Sequence, residues 1–288
     1  MNQSIKFISC NLCGQSKERI IATQNSYKMV ECINCGFIYL NPRPNEEVLN
    51  QLYQTYHSRN SDGASSWALL MNKIYKETAH CIRKRFPDPG KLLDIGCGYG
   101  HFLNLMKNYG WDTFGLEPST PATAYARTLK LKVSCETLEN TSHNSNSFNV
   151  ITMFYVLEHL SDPVTALLKV NNILKPGGLL VLRVPHTTPI VKLLSSVGIK
   201  NNLYDIPFHL SDFSPKTIQS VLEKTGFEAI HTFPGKSTNP KKYLERFASI
   251  FFGTSARVFY RLSFGKLLLS GVSKTTIAEK PAKTNCKT

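Results

Sequence analysis

The chain of 288 residues is poor in charge, with 19% charged side chains, and poorer still in acid, with 20 Asp and Glu against 34 Lys and Arg. No apolar run reaches the roughly 18 residues that a membrane-spanning helix needs, and no apolar signal segment follows the start. We therefore expect a cytoplasmic protein that does not span the membrane. A hydrophobic content of 42% excludes wholesale disorder.

The basic excess is concentrated at the C-terminal end. The net charge is +14, and residues 231–288 hold 11 Lys and Arg against two Glu, which leaves +5 for the first 230 residues. Such an excess favours an anionic partner, such as a nucleotide, a phospholipid surface or RNA.

Four of the eight cysteines form two Cys-x2-Cys pairs, Cys10 with Cys13 and Cys32 with Cys35, separated by 18 residues. This spacing is typical of a zinc ribbon, in which two knuckles complete a tetrahedral site of four thiolates. A site without an open position predicts a structural Zn²⁺, because about 35 residues are too few to fold around their own core. Residues 1–40 are thus expected to form a small N-terminal zinc ribbon.

Helical and strand-like segments follow the ribbon in two stages. The Asn-Pro-Arg-Pro motif at 41–44 predicts an extended connector, and two helical patterns then run to Pro87, so residues 41–89 are expected to form a connector and helical cap. Beyond residue 90, strand and helix patterns alternate, which favours an α/β fold with a parallel sheet between two layers of helices. The strands are expected at 91–95, 113–116, 150–154, 179–184 and 228–233, and the helices at 102–109, 122–129, 164–174 and 215–225.

A glycine-rich loop follows the first of these strands, where such sheets bind their ligands. Its glycines are Gly96, Gly98 and Gly100. They do not complete the dinucleotide fingerprint, which needs a further glycine where this chain has His101. Asp94 would repel a pyrophosphate at the mouth of the loop but suits a ligand with an ammonium group, such as the amino-acid end of S-adenosylmethionine. Glu117 ends the second strand, where a carboxylate can accept hydrogen bonds from both ribose hydroxyls.

These motifs resemble those of the class I S-adenosylmethionine-dependent methyltransferases. Residues 92–100 match the first motif of that family, Glu117 the acid of the second, 148–151 the fourth strand and 174–178 the turn before the fifth. The resemblance implies a Rossmann-like seven-stranded sheet whose last strand, expected at 274–280, is antiparallel. It also implies the residues that contact S-adenosylmethionine, which are Asp94, Gly96, Cys97, Gly98, Gly100, Glu117 and Pro118.

The resemblance covers residues 90–235, the expected cofactor-binding core, with a substrate loop near 186–214. A basic amphipathic helical insertion at 236–272, the last core strand at 273–280 and a disordered tail at 281–288 are expected to follow. The ribbon together with the motif at 41–44 further resembles a bacterial subfamily associated with sugar and cell-surface glycan biosynthesis. Some larger relatives are sugar C-methyltransferases, which carry a long C-terminal domain that is missing here.

One glutamate and two histidines are the candidate catalytic residues. Glu158 and His159 form a polar pair in an apolar stretch after the fourth strand, which helix capping would also explain. The resemblance favours catalysis, because the sugar C-methyltransferases carry a Glu-His pair here as base and orienting residue. Quinone-pathway O-methyltransferases show the same pair, at which a divalent cation can bind. His209 lies in the expected substrate loop, and His186 is a weaker candidate for the substrate wall.

Methyl transfer to an oxygen or carbon of a small molecule is the expected function, with a sugar, a glycan or a lipid-linked intermediate as acceptor. Residues 152–155 lack the Asp/Asn-Pro-Pro-aromatic element typical of nucleobase N-methyltransferases. An RNA methyltransferase that uses the ribbon and the basic surface stays open as an alternative. However, the ribbon lacks the clustered basic face that RNA binding needs, since the charges between its cysteine pairs are Lys17, Glu18, Arg19, Lys28 and Glu31. A cofactor-binding scaffold without catalysis is the third hypothesis.

The C-terminal insertion carries apolar residues on one predicted helical face beside basic ones. The apolar residues are Tyr243, Phe247, Ile250 and Phe251, then Val258, Tyr260 and Leu262; the basic ones are Lys241, Lys242, Arg246, Arg257 and Arg261. Such a face can lie on an anionic membrane surface, which would hold the protein peripherally at the inner face of the membrane. A packed helix pair with a solvated outer face is the more common arrangement of such a sequence.

Overall fold

A computed structural model describes residues 5–56, 63–238, 243–264, 268 and 273–282. Short antiparallel strands form the N-terminal part: β1 to β5 are Ile5–Lys6, Glu18–Gln24, Tyr27–Cys32, Ile38–Leu40 and Arg43–Pro44. Two helices follow, α1 at Glu46–Tyr56 and α2 at Gly63–Arg85. Asn45 caps α1, because its Oδ1 accepts a hydrogen bond from the Val48 amide at 2.9 Å.

The remaining elements alternate between strand and helix. The strands β6 to β13 are Lys91–Ile95, Asp112–Leu116, Lys132–Ser134, Phe148–Phe154, Leu174–Val184, Ser211–Asp212, Glu228–Pro234 and Lys274–Glu279. The helices α3 to α8 are His101–Asn108, Thr120–Thr128, Pro163–Ile173, Thr188–Ser196, Pro215–Lys224 and Tyr243–Leu262. A 3-10 turn at Leu157–His159 follows β9.

Seven strands form one mixed sheet in the order β12-β13-β10-β9-β6-β7-β8. All neighbours are parallel except β13, which runs antiparallel to both β10 and β12. The predicted α/β class, with a Rossmann-like seven-stranded sheet and an antiparallel last strand, is confirmed. The sequence analysis missed β8, because an edge strand of three residues is too short to show a two-residue alternation.

Apolar residues cover both faces of this sheet, as expected for parallel strands. On one face Leu92, Val150 and Val181 pack in a cluster with residues of α2 and α3. On the other face Leu93 and Ile151 share a cluster with Phe37 and Phe213 and with residues of α5 and α7. The rings of Phe37 and Phe213 lie 5.2 Å apart, so the cysteine-rich segment packs directly into the core of the α/β sheet.

A second sheet joins that segment to the core through main-chain pairing. Its order is β11-β4-β3-β2, and β11 pairs antiparallel with β4, with Ser211 opposite Tyr39 and Asp212 opposite Ile38. The segment after β10, expected as a substrate loop, therefore contains α6 and then a strand added to the N-terminal hairpin. Two residues of β11 carry no pattern that a sequence analysis could detect.

The C-terminal insertion differs from the expected helix pair. One helix, α8, spans both apolar segments.

The helix predicted at 164–174 ends at Ile173, because Leu174 has extended backbone angles and begins β10. Lys241, Lys242 and residues 283–288 of the expected tail lie outside the described residues. No helix in the described ranges is both long and apolar enough to cross a membrane.

Candidate active site

The glycine loop between β6 and α3 has a backbone that only glycine adopts without strain. Gly96, Gly98 and Gly100 have φ angles of 68°, 52° and 76°. A Cβ atom on Gly96 would lie 2.4 Å from Cγ2 of Val156, and one on Gly100 would lie 2.5 Å from Cδ1 of Leu131. The loop is thus pressed against the segment after β9, which also carries Glu158.

Cys97 is buried within the loop, 6% exposed. A Cβ atom on Gly115 of the neighbouring strand β7 would lie 2.6 Å from the Cys97 Sγ. This close approach fixes the loop over the adjacent strand, and it gives the thiol a packing role.

Asp94 lies in β6 just before the loop and is 2% exposed. Its Oδ1 accepts a hydrogen bond from the Thr152 hydroxyl of β9 at 2.6 Å. Burial raises the pKa of Asp94 to about 7 although this hydrogen bond acts in the other direction, and the charge of Glu117 raises the pKa further. A cation placed beside these two carboxyl groups would relieve that cost, so the site suits an ammonium group.

Glu117 follows β7 and links the glycine loop to the segment after that strand. Its Oε2 accepts from the Gly98 amide and its Oε1 from the Ser119 amide, both at 2.8 Å. A carboxylate oxygen can accept more than one hydrogen bond, which suits a ligand with hydroxyl groups. Pro118 comes next, and its carbonyl lies 3.7 Å from the Cys135 Sγ.

Glu158 lies in the 3-10 turn after β9 and is 1% exposed. Among the described residues, neither of its carboxylate oxygens has a hydrogen-bond partner. Burial raises the pKa of Glu158 to about 8; the residue's own backbone amide and the charge of Lys274 oppose this change, and the charge of Asp212 adds to it. A buried carboxylate without a hydrogen bond to another described residue is unusual and points to a ligand or a proton-transfer role.

His159 is held in one tautomer by the segment before β11. Its Nδ1 lies 2.8 Å from the Phe208 carbonyl oxygen, and since a carbonyl only accepts, Nδ1 carries the hydrogen and Nε2 is the basic nitrogen. Burial lowers the pKa of His159 to about 3 and that of His209 to about 4, so both rings are neutral near pH 7. The two ring centroids are 4.8 Å apart.

These three candidate residues converge. One ligand atom each from Glu158, His159 and His209 lies within 4.8 Å of the others. A carboxylate and two neutral imidazoles are a set of donors that can hold a divalent cation. His186 is also buried and follows β10, but it does not belong to this group.

Two buried basic side chains were not identified from the sequence. Lys274 begins β13, is fully buried, and donates from Nζ to the carbonyls of Phe213 and, at 3.1 Å, of Pro185. Arg183 in β10 donates from Nε to the Tyr155 hydroxyl at 2.9 Å. Lys274 could hardly be recognised as a buried residue from the sequence. A lysine at the start of a strand is usually exposed, unless the strand has neighbouring strands on both sides.

The four N-terminal cysteines also converge. The Sγ atoms of Cys10 and Cys35 are 3.6 Å apart and those of Cys13 and Cys32 are 3.5 Å apart. Four thiolates around Zn²⁺, with Zn–S bonds of about 2.3 Å, have sulfur atoms about 3.8 Å from one another. The four residues therefore fit a tetrahedral zinc ion, in agreement with their spacing in the sequence.

Comparisons with known proteins concern the α/β core of the chain. The family model described as "Methyltransferase domain" matches residues 69–232, more than half of the chain. The chain is 27% identical over 150 residues to the ubiquinone biosynthesis O-methyltransferase of Cereibacter sphaeroides, a match that covers 49% of this chain and 61% of that protein. The chain thus spans about three fifths of the length of such curated relatives.

Solved structures share the fold at low sequence identity. A SAM-dependent methyltransferase from Thermotoga maritima superimposes with a TM-score of 0.52 at 19% identity, over 81% of this chain and 99% of that one. Phosphoethanolamine N-methyltransferase 2 of Haemonchus contortus, solved with S-adenosylmethionine, gives a TM-score of 0.54 at 17% identity, over 85% of this chain and 63% of that one. At such identities the likeness concerns the fold alone.

Proposed function

The chain belongs to the family of methyltransferase domains, and on that premise we propose that it transfers a methyl group from S-adenosylmethionine to an oxygen atom of a small molecule. The observation that carries this proposal is the buried Glu158 carboxylate, which has no hydrogen-bond partner among the described residues and follows the segment packed against the glycine loop. Methyl transfer needs such a group, because the acceptor must lose a proton as it attacks.

The cofactor would bind along the loop and the two acids beside it. Asp94 would pair with the ammonium group, and Glu117 would accept from the ribose hydroxyls while it holds the Gly98 amide in place. Cys97, Gly96, Gly100 and Pro118 would contact the cofactor through the backbone of the loop and of the segment after β7. When bound, S-adenosylmethionine supplies an activated methyl group on a sulfonium.

Glu158 is our candidate general base. A carboxylate with a pKa near 8 takes up a proton from a hydroxyl more readily than one with an ordinary pKa. His159 would orient the acceptor, since its tautomer is fixed by the Phe208 carbonyl. His209 would form part of the wall of the acceptor site. If these three residues instead held a divalent cation, Glu158 would be a ligand of that cation and not the base, and the cation would supply Lewis acidity toward the acceptor hydroxyl.

The names of the relatives favour oxygen over carbon as the acceptor atom. The Cereibacter protein is named as an O-methyltransferase of ubiquinone biosynthesis. We therefore place hydroxylated quinone precursors first among the acceptors. Sugars, glycans and lipid-linked glycan intermediates, which the resemblance of the ribbon and connector suggests, form the second group.

RNA is a weaker candidate. In the ribbon, Arg19 donates to Glu31 at 2.8 Å, and Lys192 of α6 contacts the same carboxylate at 3.2 Å. These pairs neutralise part of the small positive charge that RNA would need. A scaffold that binds the cofactor without catalysis would have no use for Glu158 as a base.

Calorimetric titration of the zinc-loaded protein with S-adenosylmethionine and S-adenosylhomocysteine tests the proposal. We expect micromolar binding that is lost in Asp94→Ala and Glu117→Ala and retained in Asp112→Ala. Asp112 begins β7, at the opposite end of that strand from Glu117, and its exposed carboxylate pairs with Lys132. Transfer of a labelled methyl group is then measured on the two groups of acceptors. If the protein binds S-adenosylmethionine but transfers no methyl group to any acceptor, and Glu158→Gln binds the cofactor as the wild type does, the scaffold hypothesis is favoured.

A further inference from the structure

Helix α8 presents its apolar face to solvent. Tyr243, Phe247, Phe251 and Leu262 recur at helical spacing, and their exposed fractions are 89%, 71%, 58% and 71%. Phe264, just beyond the helix, is 93% exposed. An ordinary surface helix buries this stripe and exposes polar residues, so the orientation of α8 is the reverse of the usual one.

Small residues and one tyrosine hold α8 in this orientation. Gly253 and Ala256 are buried, and a Cβ atom on Gly253 would lie 2.8 Å from the Cβ of Ser237. The Tyr260 hydroxyl donates to the Thr232 carbonyl of β12 at 3.1 Å. The face that touches the protein is thus already occupied by close contacts, and the aromatic stripe cannot replace it without losing them.

The charge of this segment favours an anionic partner. Residues 236–266 contain seven Lys and Arg and one Glu, and Arg261 in the last turn of α8 is exposed. A second copy of the chain would bring two such segments together, and their like charges would repel each other. An anionic phospholipid surface instead offers apolar chains to the aromatic stripe and phosphates to the basic residues.

We propose that α8 docks on the surface of an anionic phospholipid bilayer, with its axis in the plane of the membrane and Phe247 and Phe251 inserted at the interface. The segment that carries α8 leaves the sheet at the same edge as the candidate site. Chain connectivity places α8 after β12 and before β13, at the carboxyl edge of the sheet where Asp94 and Glu158 also lie. Ser273, which precedes β13, accepts a hydrogen bond from the Tyr155 hydroxyl at 3.0 Å. The proposal does not depend on methyl transfer.

Vesicle flotation with the full-length protein tests it. We expect binding to vesicles of phosphatidylcholine with phosphatidylglycerol, little binding to phosphatidylcholine alone, and a decrease as salt is raised. The double variant Phe247→Ser/Phe251→Ser should bind the anionic vesicles at least tenfold more weakly. The matched control Leu69→Ser/Leu168→Ser removes two apolar residues that are 52% and 51% exposed on other helices and should bind as the wild type does.

Three results would overturn the proposal. The wild type does not float with anionic vesicles; the control variant loses binding as much as the α8 variant does; or light scattering shows a dimer that the α8 variant converts to a monomer, in which case a second copy covers the face. Because all four substituted residues are exposed, thermal unfolding should show equal stability and thereby exclude misfolding as the cause.

Discussion

The backbone amide of Leu40 donates to the carbonyl of Leu210 at 2.9 Å, and the amide of Leu210 in turn donates to the carbonyl of Glu158 at 2.8 Å. Leu40 ends the hairpin that the cysteine cluster organises, whereas Glu158 is the candidate base. Two hydrogen bonds therefore connect the expected zinc site to the candidate active site. The N-terminal unit forms part of the support of that site.

Loss of metal from the cysteine cluster should therefore loosen the segment 208–212. We expect that Cys13→Ser abolishes stoichiometric zinc and raises amide hydrogen exchange at Leu210 and Asp212 at least tenfold, because β4 no longer holds β11 in place. Cys135→Ser, which removes an exposed thiol outside the cluster, is the control. Metal content by mass spectrometry and exchange rates in the folded protein are the measurements; unchanged exchange at Leu210 after zinc loss would contradict the coupling.

The glycine loop and the alternation of strands and helices could be predicted from the sequence, because the glycines, an acid at the end of each of two strands and the order of apolar segments are local features. The seven-stranded sheet was implied only by the resemblance to the methyltransferase family. Glu158 and His159 were also identified locally. The pairing of β4 with β11 and the approach of Lys274 to Phe213 could not be predicted. Both join residues far apart in the chain, and the acceptors are main-chain carbonyls, which carry no sequence signal.

Glu158→Gln should reduce turnover without harming the fold. Glutamine keeps the shape but cannot accept the proton, so we expect kcat to fall by about 10²–10⁴-fold with little change in the affinity for S-adenosylmethionine. The free energy of unfolding should stay equal or increase, since the buried charge is removed. Single-turnover assays and thermal unfolding check this, with the exposed Glu139→Gln as control. Equal kcat in the two variants would exclude Glu158 as the base.

The pH dependence of kcat should follow the ionisation of Glu158. The carboxylate is the active form, so kcat at saturating cofactor should rise with pH to a plateau, with a midpoint near 8 in buffer that contains a chelator. Saturating cofactor matters because Asp94, whose pKa is about 7, also titrates in the free protein. A profile that is flat between pH 6 and 9 is inconsistent with this assignment, as ordinary carboxylates are fully ionised there.

Lys274 and Asp212 should move that midpoint in opposite directions. The positive charge of Lys274 lowers the pKa of Glu158 and the negative charge of Asp212 raises it. Lys274→Met should therefore shift the midpoint to higher pH, and Asp212→Asn should shift it to lower pH. The two profiles are measured with protein shown to be folded by thermal unfolding. Parallel shifts in both variants would indicate general disruption of the site.

Stability should also depend on the ionisation of Glu158. Its pKa is raised from 4.5 to about 8 in the folded protein, so the folded protein favours the protonated carboxyl group. The resulting contribution to stability is fully present below pH 4.5 and is lost as the pH rises through about 8. Glu158→Gln should thus gain stability relative to the wild type as the pH rises over this range. Denaturant unfolding at several pH values gives the difference, and a constant difference would show that Glu158 ionises with an unperturbed pKa.

Gly96→Ala tests whether the glycine loop supports the turn that carries Glu158. Gly96 and Gly198 both have positive φ, 68° and 74°, but a Cβ atom on Gly198 would meet nothing within 4 Å, whereas one on Gly96 would lie 2.4 Å from Val156. Gly198→Ala should cost about 1–2 kcal/mol of stability from backbone strain alone. Gly96→Ala should cost more stability and should also weaken cofactor binding and lower kcat, because Val156 must move.

Adding Val156→Ala to Gly96→Ala should recover part of the lost stability and of the lost cofactor binding. The recovery should be absent in Gly198→Ala/Val156→Ala. If the two glycine variants lose stability equally, the loop and the turn are independent, and the position of Glu158 does not depend on the cofactor loop.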